Sequence, residues 1–189
     1  TANNIIDTTQ LKEYKSIEKM NEFLRVQCYL NDQTYLSSWP EDQKTNHFQD
    51  IIAAVDANTI KNELSALPEK QNLLSFKSFS VYYGYQKQIP LCVQEITRLR
   101  EITFRTLDEG SGEACDTDKY DATYMHLFIF DHKNEEIIGA YRIGETDVLQ
   151  SNGDLSELYL SQIFRFHPEF INRQQPCLEM GRSFIIAAH

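Results

Sequence analysis

The chain has 189 residues, of which 41% are hydrophobic and 12% aromatic, which indicates one compact domain with or without a flanking piece. Its 18 Lys and Arg against 28 Asp and Glu give a formal net charge of −10, which excludes broad nucleic-acid binding through a basic face. Only 7 Gly and 5 Pro are present, so collagen-like and low-complexity classes are excluded as well.

The chain also lacks the patterns of membrane-spanning and zinc-binding proteins. Its longest apolar runs, at 51–55 and 127–130, are far shorter than the ~20 residues that a membrane helix needs. No secretory signal is visible at the N-terminus, and the 4 cysteines and 5 histidines are scattered without zinc spacing. We therefore expect a cytoplasmic protein with reduced thiols and no metal.

The first part of the chain differs in character from the rest. Apolar residues at helical spacing predict a helix over 11–30, and the polar stretch after it turns at Trp39-Pro40. We predict two regions: a helical flanking segment at 1–50 and a folded domain at 51–189.

The next elements are a short helix at 58–66, a strand at 73–86 and a strong helix at 89–107. Arg100 falls inside the apolar stripe of the strong helix, and a buried arginine needs a carboxylate or an anionic ligand. The alternative is that Arg100 snorkels from the edge of the stripe. The stripe consists of Val93, Ile96, Leu99, Thr103 and Phe104.

An acid-rich loop at 106–121 precedes a predicted hairpin of strands at 122–131 and 135–144. On the second strand, Arg142 shares a face with Ile138 and Ala140, so a second arginine points toward packed side chains. We then expect a strand or mixed element at 158–166, a short helix starting at 168 and a strand at 177–186. The order predicts an α+β fold with helices on a mostly antiparallel sheet.

Four motifs resemble bacterial N-acyltransferases with the GNAT-like fold. They are RLREITFR at 98–105, DTDKYDATYMHLFIF at 116–130, IIGAYRIG at 137–144 and LEMGRSFI at 178–185. This group includes the hemolysin-like ornithine-lipid and glycine-lipid acyltransferases and, more distantly, the acyl-homoserine-lactone synthases. The resemblance covers about 55–186, while 1–50 resembles the tail of a glycerolipid acyltransferase domain that precedes this module in some relatives.

The resemblance implies a set of site residues. Glu179, Arg142 and Arg182 correspond to the family's catalytic positions. The remaining matches, which bind substrate or organise the site, are Arg100, Phe104, Asp118 and Asp121. Ser183 follows Arg182 and would be a hydroxyl donor or a filler. The co-substrate is an acyl thioester of acyl carrier protein or coenzyme A, with no bound cofactor.

Residue chemistry agrees with aminolysis of a thioester, which needs a deprotonated amine, an anchor for the amino acid and donors for the oxyanion. Glu179 could accept the proton, and Arg142 or Arg182 could clamp a substrate carboxylate. The alternative is an ion-pair network that only orders the acidic loop. In an ideal strand Glu179 and Arg182 would face opposite sides, and Gly181 could allow a bulge that reconciles them.

These features lead to expectations about partners. Acyl carrier protein would dock on solvated Arg98 and Arg105, the acceptor would be an amino acid or its lipid derivative, and contact with the inner membrane face would be peripheral. The apolar edge strand 177–186 predicts homo-oligomers. Because relatives continue past the last motif, we expect little donor affinity from this chain alone. Two other functions stay open: a non-catalytic lipid-binding or docking module, and a signal-molecule synthase.

Overall fold

The computed structural model describes Ser16, Lys19 and residues 48–149, 155–166 and 176–187. Contacts between Cα atoms divide the chain into two compact units, Thr1–Thr45 and Asn46–His189, and nearly all described residues belong to the second. The predicted helix over 11–30, the turn at Trp39-Pro40 and the helix starting at 168 lie outside the described residues.

The second unit contains a five-stranded antiparallel sheet whose strands follow chain order, β1-β2-β3-β4-β5. The predicted α+β fold with an antiparallel sheet is confirmed. The strands are β1 (Asn72–Phe76), β2 (Phe79–Tyr85), β3 (Met125–Asp131), β4 (Glu136–Glu145) and β5 (Leu178–Ile185). The helices are α1 (Ala57–Ala66), α2 (Pro90–Arg105) and the single turn α3 (Thr146–Leu149).

Helices α1 and α2 pack on one face of the sheet and form the core with it. Val93, Ile96 and Leu99 of the stripe predicted for α2 are buried there, because they recur at helical spacing, and Phe104 packs against them partly buried. Strand β3 lies at the centre of the sheet and presents Phe128 and Phe130 to this core, as its alternation predicts. The edge position of β5 is also confirmed, since among the described strands it pairs only with β4.

Two predicted elements differ in the structure. The strand predicted at 73–86 is two strands, because the chain reverses at Lys77, whose φ of 55° lies in the left-handed region. The strand or mixed element predicted at 158–166 contains a 3-10 turn at Tyr159–Gln162 instead of a strand. Its aromatic and apolar residues raise β-propensity, but no described strand pairs with this segment.

Two register shifts in the sheet change which side chains face α2. Between β3 and β4, Ile129 pairs with Gly139 whereas Phe130 pairs with Ile137. The extra residue, Ile138, therefore leaves the core side, and Ile137 packs there with Ala140. The prediction that Ile138 shares a face with Arg142 is wrong, because a single bulge residue inverts the alternation that precedes it.

The second shift lies between β4 and β5. Ala140 pairs with Phe184 and Arg142 pairs with Gly181, so β5 has one extra residue in this interval. Arg182 occupies the bulge with a φ of 50°. The suspected bulge next to Gly181 is present, and the left-handed residue is Arg182 itself.

Candidate active site

Arg100 is fully buried in the middle of α2 and is held by two aspartates from the loop that follows. Its Nε donates to Asp116 Oδ2 at 2.7 Å and its Nη2 to Asp121 Oδ2 at 3.0 Å, and Nη2 also donates to the Asp116 carbonyl. The carboxylate that a buried arginine was expected to need is thus present, supplied by Asp116 and by Asp121 of the family's motif. Because Arg100 lies on the buried face of α2 and cannot reach water, its charge needs these partners.

Asp121 is fixed by a short 3-10 turn at Lys119–Ala122. Asp118 caps this turn by accepting from the Tyr120 N–H at 2.8 Å, and Asp121 Oδ2 accepts from the Asp118 N–H at 2.9 Å. Burial tends to raise the pKa of Asp121, but the charge and hydrogen bonds of Arg100, with the charge of Arg142, outweigh it and lower that pKa. The carboxylate is therefore held ionised.

Arg142 on β4 meets the same aspartates from the sheet side. Its Nη1 lies 2.5 Å from Asp118 Oδ1 and 3.2 Å from Asp121 Oδ1. Burial tends to lower the pKa of Arg142, and the two carboxylates more than reverse this effect. Three aromatic rings surround its guanidinium, with centroids 5.4–5.6 Å from Cζ, a cation–π arrangement. The rings belong to Tyr120, Tyr124 and Tyr159.

Arg182 reaches this network through the bulge of β5. Its Nη1 donates to Asp116 Oδ2 at 3.0 Å, and its Nη2 lies 3.6 Å from Asp118 Oδ2. Its side chain is 26% exposed, compared with 2% for Arg142. The described residues supply no hydrogen-bond partner for its buried Nε. Arg182 is thus the most accessible of the three arginines.

Glu179, three residues before Arg182, faces the same side of the sheet because of the bulge. Its Oε2 accepts from the Tyr124 hydroxyl at 2.6 Å and its Oε1 from the Leu160 N–H at 2.8 Å. The carboxylate is buried and makes none of the described ion pairs with the three arginines. Each oxygen keeps a second lone pair with which it can accept a proton.

A cleft of about 340 Å³ opens over these groups. Glu179, Arg142 and Arg182 line it, as do Phe104 and the exposed Ser183, so the structure brings these predicted site residues together. Arg100, Asp118 and Asp121 do not line the cleft; the two aspartates bond to Arg142, and Arg100 bonds to Asp121. The other lining residues are Glu109, Tyr124, Tyr159, Leu160, Met180 and Gly181.

Two groups of this site lie within the motif at 116–130 but were not among the site residues that the resemblance implied. Asp116 pairs with both Arg100 and Arg182, but six acids compete in the loop and only the folded path of the loop selects it. Tyr124 falls in the predicted strand at 122–131, and its contact with Glu179 spans 55 residues of sequence. Its place beside the charged residues of the same motif was the one available signal.

The predicted solvated patch at Arg98 and Arg105 is wrong in one respect. Their side chains are only 16% and 19% exposed, and each is paired with a carboxylate, Glu95 at 2.6 Å and Glu101 at 2.8 Å. Arg105 also donates to the carbonyls of Gln49 and Glu113. Local acids thus neutralise both charges, so docking of an acidic partner there stays a prediction with a weaker basis.

Two features, a metal-binding cluster and a membrane-spanning helix, are absent from the described part of the chain. Within it, no three His, Cys, Asp or Glu side chains are grouped so that they could hold a metal ion. None of its helices is both long enough and apolar enough to cross a membrane.

Comparisons with known proteins agree with this geometry. Residues 99–189 match the acetyltransferase (GNAT) domain family. The chain is 32% identical over 142 residues to a glycine N(alpha)-acyltransferase of Bacteroides thetaiotaomicron, which covers 72% of this chain and 42% of the relative. It is 33% identical over 144 residues to a protein of the same name from Phocaeicola vulgatus. This match covers 72% of this chain and 43% of the relative.

The chain therefore spans less than half the length of these curated relatives. No solved structure matches it significantly. The match over 99–189 includes Arg100, the aspartates, Arg142, Glu179 and Arg182, and the antiparallel sheet with its packed helices is consistent with that family's fold. Residues 99–189, which carry these groups, are thus similar to the GNAT acyltransferases.

Proposed function

We propose that this chain carries the site of an amino-acid N-acyltransferase, which moves a long-chain acyl group from a thioester of acyl carrier protein or coenzyme A to the amine of glycine or a related amino acid. The observation that carries the proposal is the pair of Glu179 and Arg182 on one wall of the cleft. A carboxylate and a guanidinium side by side match the ammonium and carboxylate of an amino acid. The names of the two relatives favour glycine as acceptor.

The arginines divide between two roles. Arg142 is buried and already bound to Asp118 and Asp121, so it organises the site. Arg182 also bonds to Asp116, but its side chain is 26% exposed and lines the cleft, so it is the better anchor for the acceptor carboxylate.

Glu179 is the base in this proposal. The bound ammonium first loses one proton through Glu179 to solvent. The amine nitrogen then attacks the thioester carbonyl carbon, the C–N bond forms, and the C–S bond breaks. The second proton that the nitrogen loses passes through Glu179 to the departing thiolate. No covalent enzyme intermediate is needed, and a positioned base of this kind typically contributes ~10²–10⁴-fold to a rate.

The acceptor could instead be an amino-acid-derived lipid, as in ornithine-lipid and glycine-lipid synthesis, which would place the protein at the inner membrane face. An acyl-homoserine-lactone-like synthase would use the same base with a different acceptor. We favour a simple amino acid because a cleft of about 340 Å³ fits its backbone groups without a second acyl chain.

The experiment uses the purified chain with a saturating hexadecanoyl thioester of acyl carrier protein or of coenzyme A, because the donor affinity of this chain alone is expected to be low. Thiol release is followed with glycine, serine or ornithine, and the product is identified by mass spectrometry. We expect glycine-dependent release and N-acylglycine, with a rate at least about 100-fold lower in Glu179→Gln. Glu136→Gln, at the far end of β4, is the matched control and should stay within about twofold of wild type.

Two results would count against the proposal. If no acceptor stimulates thiol release from either thioester, the chain is not an N-acyltransferase by itself, and the non-catalytic docking function becomes the better account. If Glu179→Gln is as active as Glu136→Gln, acyl transfer stands but Glu179 is not the base.

A further inference from the structure

Tyr124 joins the two sides of the candidate site and is not one of the site residues that the motifs implied. Its hydroxyl donates to Glu179 Oε2 at 2.6 Å and accepts from the backbone N–H of Tyr159 at 2.8 Å. Its ring is buried, and the Arg142 guanidinium lies 5.4 Å from the ring centroid. One side chain thus contacts the carboxylate, a site arginine and the segment that forms a wall of the cleft.

The hydroxyl is a permanent donor. Burial and the hydrogen bond to Glu179 raise the pKa of Tyr124 well above its ordinary value, so it keeps its proton at physiological pH. A hydrogen bond from a neutral hydroxyl to a carboxylate is charge-assisted, and 2.6 Å is within the range of such bonds. With the Leu160 N–H on Oε1, Tyr124 fixes both oxygens and hence the plane of the carboxylate.

The backbone of β4 makes room for this ring. A Cβ atom added to Gly144 would lie 2.5 Å from Tyr124 Cε1 and 2.8 Å from Cζ, far closer than real Cβ contacts. The position of the hydroxyl therefore depends on glycine at position 144, because a side chain there would displace the Tyr124 ring. The ring also packs edge to face against Tyr120, at 5.6 Å between centroids.

We propose that Tyr124 is a positioning residue for Glu179. Its hydroxyl orients the carboxylate toward the cleft and fastens the Tyr159–Leu160 wall to it. This inference rests on the proposed function for its catalytic consequence, since Tyr124 acts on the reaction only through Glu179. The two hydrogen bonds of the Tyr124 hydroxyl, to the carboxylate and to the backbone segment, can be tested without any reaction.

The structure offers a matched pair of variants, Tyr124→Phe and Tyr120→Phe. Both remove one hydroxyl from a buried ring beside Arg142. The Tyr120 hydroxyl has no hydrogen-bond partner among the described residues, and Tyr120 does not line the cleft. Any difference between the two variants therefore reports on the hydrogen bonds of Tyr124.

In the full chain we expect Tyr124→Phe to lower kcat about 10- to 100-fold, the scale of a misplaced catalytic group, with KM for the thioester changed less than about twofold. Tyr120→Phe keeps its ring beside Arg142 and should lower kcat far less than Tyr124→Phe does. A role in stability alone would lower the Tm of Tyr124→Phe and leave kcat per folded molecule unchanged. That result, or equal kcat in the two variants, would overturn the inference while leaving the proposed function intact.

Hydrogen exchange gives a readout that does not need turnover. Tyr124→Phe removes the acceptor of the Tyr159 N–H, so this amide and that of Leu160 should exchange at least about tenfold faster than in Tyr120→Phe. If wild type shows no acyl transfer, the proposed function fails and exchange alone decides the inference. Unchanged exchange at both amides would then refute it.

Discussion

At the scale of single residues, Asp121 is the group on which the buried charges depend. It pairs with Arg100 and Arg142, which cannot reach water when their partner is removed. We expect Asp121→Asn to lower the free energy of unfolding by about 3–5 kcal/mol, because it removes a carboxylate charge that pairs with two buried guanidinium groups. Urea denaturation followed by circular dichroism measures this change.

The control for Asp121 is the surface ion pair between Lys61 and Glu135, whose N···O distance is 2.9 Å. Glu135→Gln should cost less than about 1 kcal/mol, because water screens an exposed pair. A cost of similar size in the two variants would mean that the buried network contributes no more than a surface contact.

His126 makes stability depend on pH. Burial and the charges of Arg100 and Arg142 lower the pKa of His126, although its Nε2 lies 3.0 Å from the Asp121 carbonyl oxygen. Below about pH 6.5 the His126 imidazole is therefore protonated in the unfolded chain and stays neutral in the folded chain until the pH is lower. Stability should fall as pH falls from 7.5 to 5.5.

Urea midpoints at the two pH values, for wild type and His126→Gln, test this expectation. The loss between pH 7.5 and 5.5 should be smaller in His126→Gln than in wild type. His132→Gln, which alters an exposed histidine next to β3, should show the wild-type loss. An equal loss in all three proteins would assign the acid sensitivity to other groups.

At the scale of elements, α2 begins without a capping side chain of its own. Its N-cap residue is Ile89, and the carboxylate of Glu63 in α1 takes over this role by accepting from the N–H groups of Leu91 and Cys92 at 2.8–3.1 Å. A carboxylate there satisfies free donors and opposes the positive end of the helix dipole. This contact fixes α1 to the helix that carries Arg100.

Glu63→Ala should lower stability by about 0.5–2 kcal/mol, the usual cost of a lost cap. Glu63→Gln keeps an acceptor and should lose less. Chemical denaturation measures the stability loss of both variants and shows which loses more. Glu69→Ala, in the 3-10 turn after α1, is the control. If Glu63→Ala and Glu69→Ala are equally stable, the cap has no measurable effect.

At the scale of the whole molecule, β5 leaves an apolar edge on the described sheet. Leu178, Met180 and Ile185 are exposed along it, and Ile185 is 73% exposed. Unpaired edges of this kind promote pairing between chains. We expect a concentration-dependent dimer in sedimentation velocity, shifted toward monomer by Ile185→Lys.

Ile163→Lys is the control for this association, because Ile163 is equally apolar, 59% exposed, and lies outside the strands. It should sediment as wild type. A wild-type chain that is monomeric at all concentrations, or one that both lysine variants disrupt equally, would contradict association through β5.

The sequence by itself determined the α+β class, helix α2, the β3–β4 hairpin and the burial of Arg100 and Arg142. These follow from local periodicity, because a 3.6-residue or 2-residue repeat places each side chain relative to its near neighbours. The turn at Lys77, the 3-10 turn at Tyr159–Gln162 and the choice of Asp116 among six acids were decided by tertiary structure.

The bulges show the physical reason most directly. One extra residue in β4 turned Ile138 out of the core, and one in β5 brought Glu179 and Arg182 to the same cleft. A bulge depends on how two strands pair across the sheet, and such pairing has no signature within either strand alone. The contact of Tyr124 with Glu179 depends on that same register, so only the folded sheet could place the hydroxyl on the carboxylate.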